Sequence, residues 1–136
     1  MAGPALDLQK AIFAALSQDG ALTGLLGGAH VFDRVPASTP FPYVAFGRTS
    51  LFDWSTGTER GVEQLFTLHV WSKAQGKKET LAILERIAAL LDDQPLALVG
   101  HALVSMRLEF AEVRYDEDLA VHHGLARFRA LMEATG

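Results

Sequence analysis

The fold is decided by two stretches of the chain, FPYVAFG at residues 41–47 and EQLFTLHVWS at residues 63–72. The second stretch alternates apolar and polar residues with a period of two, which is typical of a strand with one buried face. We therefore predict strands at residues 43–48 and 62–72, joined by a polar loop at residues 50–61.

The alternation also assigns the two faces of the second strand. The buried face is predicted to carry Phe66, Leu68 and Val70. The half-exposed face is predicted to carry Thr67, His69 and Trp71. A histidine in that position is expected to be a packed or interface residue rather than a catalytic base.

The remaining elements follow from apolar periodicity and from glycine and proline punctuation. A wide apolar stripe on the second long helix indicates that this helix lies across a sheet, and three prolines mark residues 36–42 as a connector. We predict a single domain over residues 1–136 of α+β class, an antiparallel sheet with a long C-terminal hairpin and two main helices packed on one face. The other predicted elements are helices at residues 5–18 and 77–92, a short helix or turn at 22–26, and strands at 30–32, 101–115 and 119–132.

The hairpin has its own alternation. Its first strand is expected to direct Val104, Met106, Leu108 and Phe110 inward and Ser105, Arg107 and Glu109 outward. Its second strand is expected to direct Ala126, Phe128, Ala130 and Met132 inward and Arg127 and Arg129 outward. In one register Glu109 would stand opposite Arg127 as a cross-strand ion pair.

Composition excludes several classes of protein. The chain has 136 residues, a formal net charge of -4 and no cysteine, so disulfides and thiolate metal sites are absent. Its twelve basic residues are scattered, which argues against non-specific duplex binding but not against a channel through which nucleic acid passes. The first residues lack the pattern of a signal peptide, and no apolar run approaches the roughly 20 residues that span a bilayer, so no membrane partner is expected.

The sequence contains no recognisable pattern of catalytic or ligand-binding residues. His122 and His123 are adjacent, so on a strand they point to opposite faces and cannot easily bind one metal ion. The acidic run at residues 116–118 fits a solvated turn better than a cation loop. Phosphate-binding glycine motifs and a nucleophile elbow are also missing. We predict no catalytic residue, no cofactor and no metal site.

Two groups of residues are candidates for subunit contacts. Leu51, Phe52 and Trp54 crowd into the polar loop, and exposed apolar side chains of this kind often mark contact surfaces. The alternative is that an aromatic of this group folds back onto the sheet. The second group consists of the outward charges of the hairpin, which either face solvent or reach a neighbouring copy. Its members are Arg107, Glu109, Arg127 and Arg129.

The order of these motifs resembles the tail-completion, or tail-terminator, proteins of long-tailed bacteriophages and gene transfer agents. The resemblance covers nearly the whole chain and consists of packing and turn motifs. Those motifs are Arg34-Val35, FPYV at residues 41–44 closing on Gly47, the loop with Trp54, EQLFTLHVWS at 63–72, Gly76 before a helix that ends in Leu90-Leu91, and a final strand pair.

This resemblance implies a structural virion protein made in the bacterial cytoplasm and built into the head-proximal end of a tail. Such proteins form a hexameric ring that ends polymerisation of the tail-tube protein and docks the head-side connector, while DNA passes through the lumen without specific binding. They carry no catalytic residue and no cofactor.

Two alternatives stay open from the sequence. One is a head-side stopper or adaptor of the same particle, which is also a small ring-forming protein. The other is a small α+β enzyme or ligand-binding domain, which would show a deep pocket with convergent polar groups.

Overall fold

The computed structural model describes residues 3–135, so Met1, Ala2 and Gly136, which belong to the predicted domain range, lie outside it. Within that range the order of elements matches the predicted one, and most boundaries agree within two residues. The elements are α1 (Pro4–Ser17), α2 (Gly20–Leu26), β1 (Val31–Phe32), β2 (Tyr43–Asp53), β3 (Gly61–Ser72), α3 (Lys78–Leu91), β4 (His101–Asp116) and β5 (Val121–Ala134).

The strands form one five-stranded sheet in the order β1-β2-β3-β5-β4. All neighbouring strands are antiparallel except β1, which pairs in parallel with β2 through two residues, Val31 and Phe32. The predicted α+β class is confirmed, and the sheet is mostly rather than wholly antiparallel.

The helices cover one face of this sheet, and α3 lies across β3, β4 and β5. Its approach to β5 is close at Gly124, where an added Cβ would lie 2.6 Å from Thr80 Cγ2. Glycine is therefore required there by the packing of the helix against the strand. The largest fully buried side chains between the helices and the sheet are Phe128, Leu8, Ile12, Leu16, Leu22, Leu26, Leu68, Ile83, Ile87, Leu91, Met106 and Met132.

Strand β2 is longer than predicted. Its ladder with β3 shifts register between Phe46 and Thr49 and then continues to Asp53. The predicted loop at residues 50–61 is therefore wrong at its start, because the loop occupies only residues 54–60 and residues 50–53 are in the strand. Residues 51–53 are exposed, so this part of β2 lacks the alternation of apolar and polar residues that marks a half-buried strand.

Strand β4 contains two register shifts, between Leu103 and Ser105 and between Leu108 and Phe110. Each extra residue reverses the alternation of side chains between the two faces. The prediction that Val104 and Phe110 face the core is therefore wrong, since their side chains are 47% and 44% exposed.

The same shift changes the predicted partner of Arg127. Phe110, not Glu109, stands opposite Arg127, and the guanidinium carbon lies 5.6 Å from the centroid of the phenyl ring. A cation–π contact thus replaces the predicted ion pair.

A buried carboxylate ties α1 to the start of β4. Asp7 accepts hydrogen bonds from the backbone N–H groups of Val99 and Gly100, each at 2.9 Å, and its Oδ2 lies 2.8 Å from His101 Nδ1. The bond with His101 and then the two backbone bonds lower the pKa of Asp7 to about 2.

A second carboxylate joins α2 to α3. Asp19 caps α2 by accepting from the N–H of Leu22 at 2.9 Å. It also accepts two bonds from Arg86, at 2.8 and 2.7 Å. These bonds, with Arg86 as the largest contributor, lower the pKa of Asp19 to about 2.

Candidate assembly surface

The sheet face opposite the helices, called the open face below, carries a compact ring cluster formed by His69, Trp71 and His123. The rings of Trp71 and His123 stack in parallel with centroids 3.9 Å apart, and His69 Nδ1 lies 2.7 Å from His123 Nε2. An added Cβ on Gly47 of β2 would lie only 2.3 Å from His69 Nε2. The ring of His69 is thus held between the bare backbone of Gly47 and the ring of His123.

This environment favours neutral imidazoles. Burial lowers the pKa of His69 below its ordinary value. Burial also lowers the pKa of His123, and the neighbouring His69 and Arg114 add to that effect while Glu112 and Asp116 oppose it. A hydrogen bond between two imidazoles needs a free acceptor nitrogen on one of them, so it is lost when both are protonated.

The cluster offers no third ligand for a metal ion. Residues 3–135 contain no group of three or more histidine, cysteine, aspartate or glutamate side chains that could hold one. His122 faces the helices, where its Nδ1 lies 3.2 Å from the carbonyl oxygen of Ala74, and His123 is on the open face. The predicted separation of the histidine pair is therefore confirmed.

The acidic turn is also explained by local bonding. Asp116 ends β4, and its carboxylate accepts from the N–H of Leu119 at 3.0 Å. This bond closes the turn of the hairpin.

No helix in the described part of the chain has the length and apolar character needed to cross a membrane.

Several depressions lie on the surface of residues 3–135, and one of them is beside the ring cluster. It measures about 260 Å³ and is lined by Arg114, Tyr115, Asp116 and His123. Pockets that bury a drug-sized ligand typically measure about 300–1,000 Å³ and are mostly apolar. Two other depressions, of about 480 and 350 Å³, reach this range of volume. None of the three has a mostly apolar lining, so their geometry does not favour the ligand-binding alternative.

The apolar contact candidates lie at the end of β2 and in the loop after it. Leu51, Phe52 and Trp54 are 50%, 49% and 37% exposed. Trp54 combines the two predicted alternatives, exposure and folding back onto the sheet. It stays partly exposed, but its ring and its carbonyl cover Gly61 of β3. An added Cβ on Gly61 would lie 2.8 Å from Trp54 Cε3. The N–H of Trp54 donates to the carbonyl of Gly61 at 2.9 Å.

The charged candidates do not form one continuous row. Arg107 Nε lies 3.2 Å from Asp92 Oδ1 at the end of α3, while Arg129 pairs with Glu63 on the open face. Arg127 stacks on Phe110 as described above, and Glu109 is the extra residue at the second register shift. The three arginines are thus each bound locally on or beside the hairpin.

The ring cluster could not be predicted from the alternation within single strands. That alternation places His69 and Trp71 on one face but does not connect them with His123 or Gly47. The missing information was the register of β3 against β5, which sets Trp71 opposite His123. Alternation within each strand fixes the face of a residue but not its partner across the ladder.

These features define a small α+β protein with exposed apolar side chains at two separate edges of one sheet. The chain belongs to the family described as tail completion protein gp17, whose model matches residues 10–133. Members of this family are structural proteins of phage tails. The resemblance predicted from the sequence motifs is thereby confirmed.

A solved structure is similar to this chain over nearly its whole length. A chain in the structure described as the virion of a native gene transfer agent particle is 28% identical to this one. The match covers 98% of this chain and 100% of that chain, with a TM-score of 0.88. No curated protein sequence matches this chain.

Proposed function

We propose that this protein is a virion component that closes into a ring at the head-proximal end of a phage-like tail. The ring, which we propose to be hexameric, ends polymerisation of the tail-tube protein and joins the tail to the head-side connector or stopper. The observation that carries this proposal is the match, over 98% of this chain and 100% of the other, to a chain of a gene transfer agent virion.

The surface supports assembly. A ring of identical copies uses a heterologous contact, so each subunit needs two different complementary patches. The apolar group of β2 and its loop is separated by β3 and β5 from the charged residues of β4. Each subunit can therefore present one patch to each of its two neighbours.

The electrostatic character is compatible with a passage for DNA. The formal net charge of -4 gives no general attraction for a polyanion, so DNA is proposed to pass through the lumen without specific binding. On this proposal the protein has neither enzymatic activity nor a cofactor.

The position in the particle is tested by deleting the gene. We expect tails of uncontrolled length, seen by electron microscopy, because nothing ends growth of the tube. Filled heads that leak DNA beside finished, unattached tails would instead assign the protein to the head side as a stopper or adaptor.

Assembly is tested by mass measurement on the purified protein, alone and with the tail-tube protein. Leu51→Ser should weaken ring formation because Leu51 is a proposed contact. Leu81→Ser is the matched control, since Leu81 is similarly exposed at 46% but lies on α3. A wild-type protein that stays monomeric at every concentration with the tube protein present would refute the ring.

A further inference from the structure

The two sides of the sheet end differently, and both leave strand edges open. β4 is the last strand on one side. On the other side β1 pairs only with Val44 and Ala45 of β2, so within residues 3–135 no strand lies beside residues 46–53 of β2 there. Open strand edges carry unpaired N–H and C=O groups that can add a further strand.

On β2 the direction of these backbone groups can be assigned. The N–H of Trp54 donates to the carbonyl of Gly61 and therefore points toward β3. Backbone groups alternate between the two sides of a strand. Thr49, Leu51 and Asp53 consequently direct their N–H and C=O groups outward, away from β3.

On β4 part of the edge is already covered. The N–H of Asp93 donates to the carbonyl of Met106 at 2.7 Å, so the backbone groups of residue 106 point away from β5 into the turn after α3. Glu109 is an extra residue at the second register shift. Beyond it, the residues whose backbone groups point away from β5 are therefore odd-numbered instead of even-numbered. Beyond the shift, residues 110–116 form an uninterrupted edge on which Ala111, Val113 and Tyr115 direct their backbone groups outward.

The strand directions fit a head-to-tail contact. Three successive antiparallel pairings separate β2 from β4, so these two strands run in opposite directions. When a second copy is placed beside the first in the same orientation, its β2 lies antiparallel to β4. That arrangement continues the alternation of the sheet and keeps the open faces of both copies on the same side.

Exposed apolar side chains are concentrated at these two edges. Among the described residues, twelve large hydrophobic side chains are exposed, and six of them lie on β4 or at the end of β2 and its loop. These six are Leu51, Phe52, Trp54, Val104, Phe110 and Tyr115. Phe52 and Phe110 are both on the open face, so they would lie on the same side of a joined sheet.

We propose that neighbouring copies join by strand addition, with residues 110–116 of β4 pairing antiparallel with residues 49–53 of β2 in the next copy. This inference rests on the proposed ring and specifies its contact as a sheet that continues from subunit to subunit. A head-to-tail contact of this kind either closes or grows as an open filament.

Disulfide cross-linking tests the pairing, because the chain has no cysteine of its own. Three double variants place both cysteines on the open face: Ser50→Cys combined with Phe110→Cys, Glu112→Cys or Arg114→Cys. Directly opposed residues have Cβ atoms about 4.5–5.5 Å apart. Within one chain the two cysteines are three strand spacings apart, roughly 14 Å, which no disulfide can bridge.

The matched control is Ser50→Cys with Ala111→Cys, whose side chains lie on opposite faces of the sheet. Assembled with the tube protein and oxidised, at least one open-face pair should give a ladder of covalent oligomers, and the control pair should give none. Circular dichroism checks that every variant is folded.

The outcomes separate this inference from the proposed function. A ring detected by mass in which no open-face pair cross-links above the control would overturn strand addition and leave the ring intact. Absence of any ring from the wild-type protein would overturn the proposed function, and this inference with it.

Discussion

The carboxylate of Asp92, at the end of α3, accepts a hydrogen bond from the N–H of Leu108 at 2.8 Å, immediately before the second register shift of β4. A carboxylate is unfavourable at the C-terminus of a helix because the helix dipole is negative there. The bond explains why Asp92 is nevertheless used: it satisfies a donor at the open edge of β4, and Arg107 lies beside it.

Asp92→Ala should therefore destabilise the protein by about 1–2 kcal/mol, since it removes the acceptor for a partly buried N–H. Urea unfolding followed by tryptophan fluorescence measures this. Asp93→Asn is the matched control, because Asp93 contributes its backbone N–H and has a φ of 56°, which asparagine tolerates. Equal losses in the two variants would contradict the role given to the Asp92 side chain.

Gly47→Ala should disrupt the ring cluster. The added methyl would overlap the ring of His69, which cannot retreat because His123 lies on its other side. Overpacking of this kind costs about 1–3 kcal/mol. Gly57→Ala has nothing within 4 Å of the new Cβ and should change the free energy of unfolding by no more than about 0.5 kcal/mol. Chemical denaturation measures the free energy of unfolding of both variants. If Gly47→Ala leaves that free energy unchanged, the rings of the cluster can move aside without cost, which would contradict the prediction.

The ring cluster should make stability depend on pH near neutrality. The pKa values of His69 and His123 are lowered in the folded protein, so the unfolded chain binds protons more readily as pH falls. The stability that depends on neutral rings is present above the ordinary histidine pKa of 6.5 and is lost as pH falls from that value through the lowered folded pKa values.

We expect the free energy of unfolding, measured in urea between pH 8 and pH 5, to fall on acidification, and His69→Gln to reduce that slope. His30→Gln is the control because its ring lies outside the cluster. The same slope in wild type and His69→Gln would show that the cluster does not couple folding to proton binding.

The two anchored carboxylates should act in a lower pH range. Asp7 and Asp19 have folded pKa values of about 2, below the ordinary value of 3.8. Their contribution is present above that ordinary value and is lost as pH falls toward 2. Thermal unfolding of Asp19→Asn should show a deficit against wild type at pH 5 that shrinks at pH 2. A deficit independent of pH would indicate that the carboxylate charge is not involved.

The pattern of apolar residues predicted most of the architecture. The period of two in β3 and the stripe of α3 each follow from burial of one face, a property of the segment alone. The sequence motifs likewise indicated the family that the comparisons identify. Leu51, Phe52 and Trp54 are exposed, which the sequence left open for the two aromatics, and the first two lie on a strand rather than in a loop. Their role in subunit contacts stays a prediction.

Properties that depend on two strands together escaped prediction. The side of the sheet on which Phe110 lies follows from an extra residue at Glu109, and the ring cluster follows from the register of β3 against β5. Local composition reports whether a residue prefers burial, because that preference belongs to its own side chain. Register and bulges depend instead on which helix or strand supplies the partner of each backbone group, and only the tertiary structure decides that. The bond from the N–H of Leu108 to Asp92 beside the second register shift of β4 is an example.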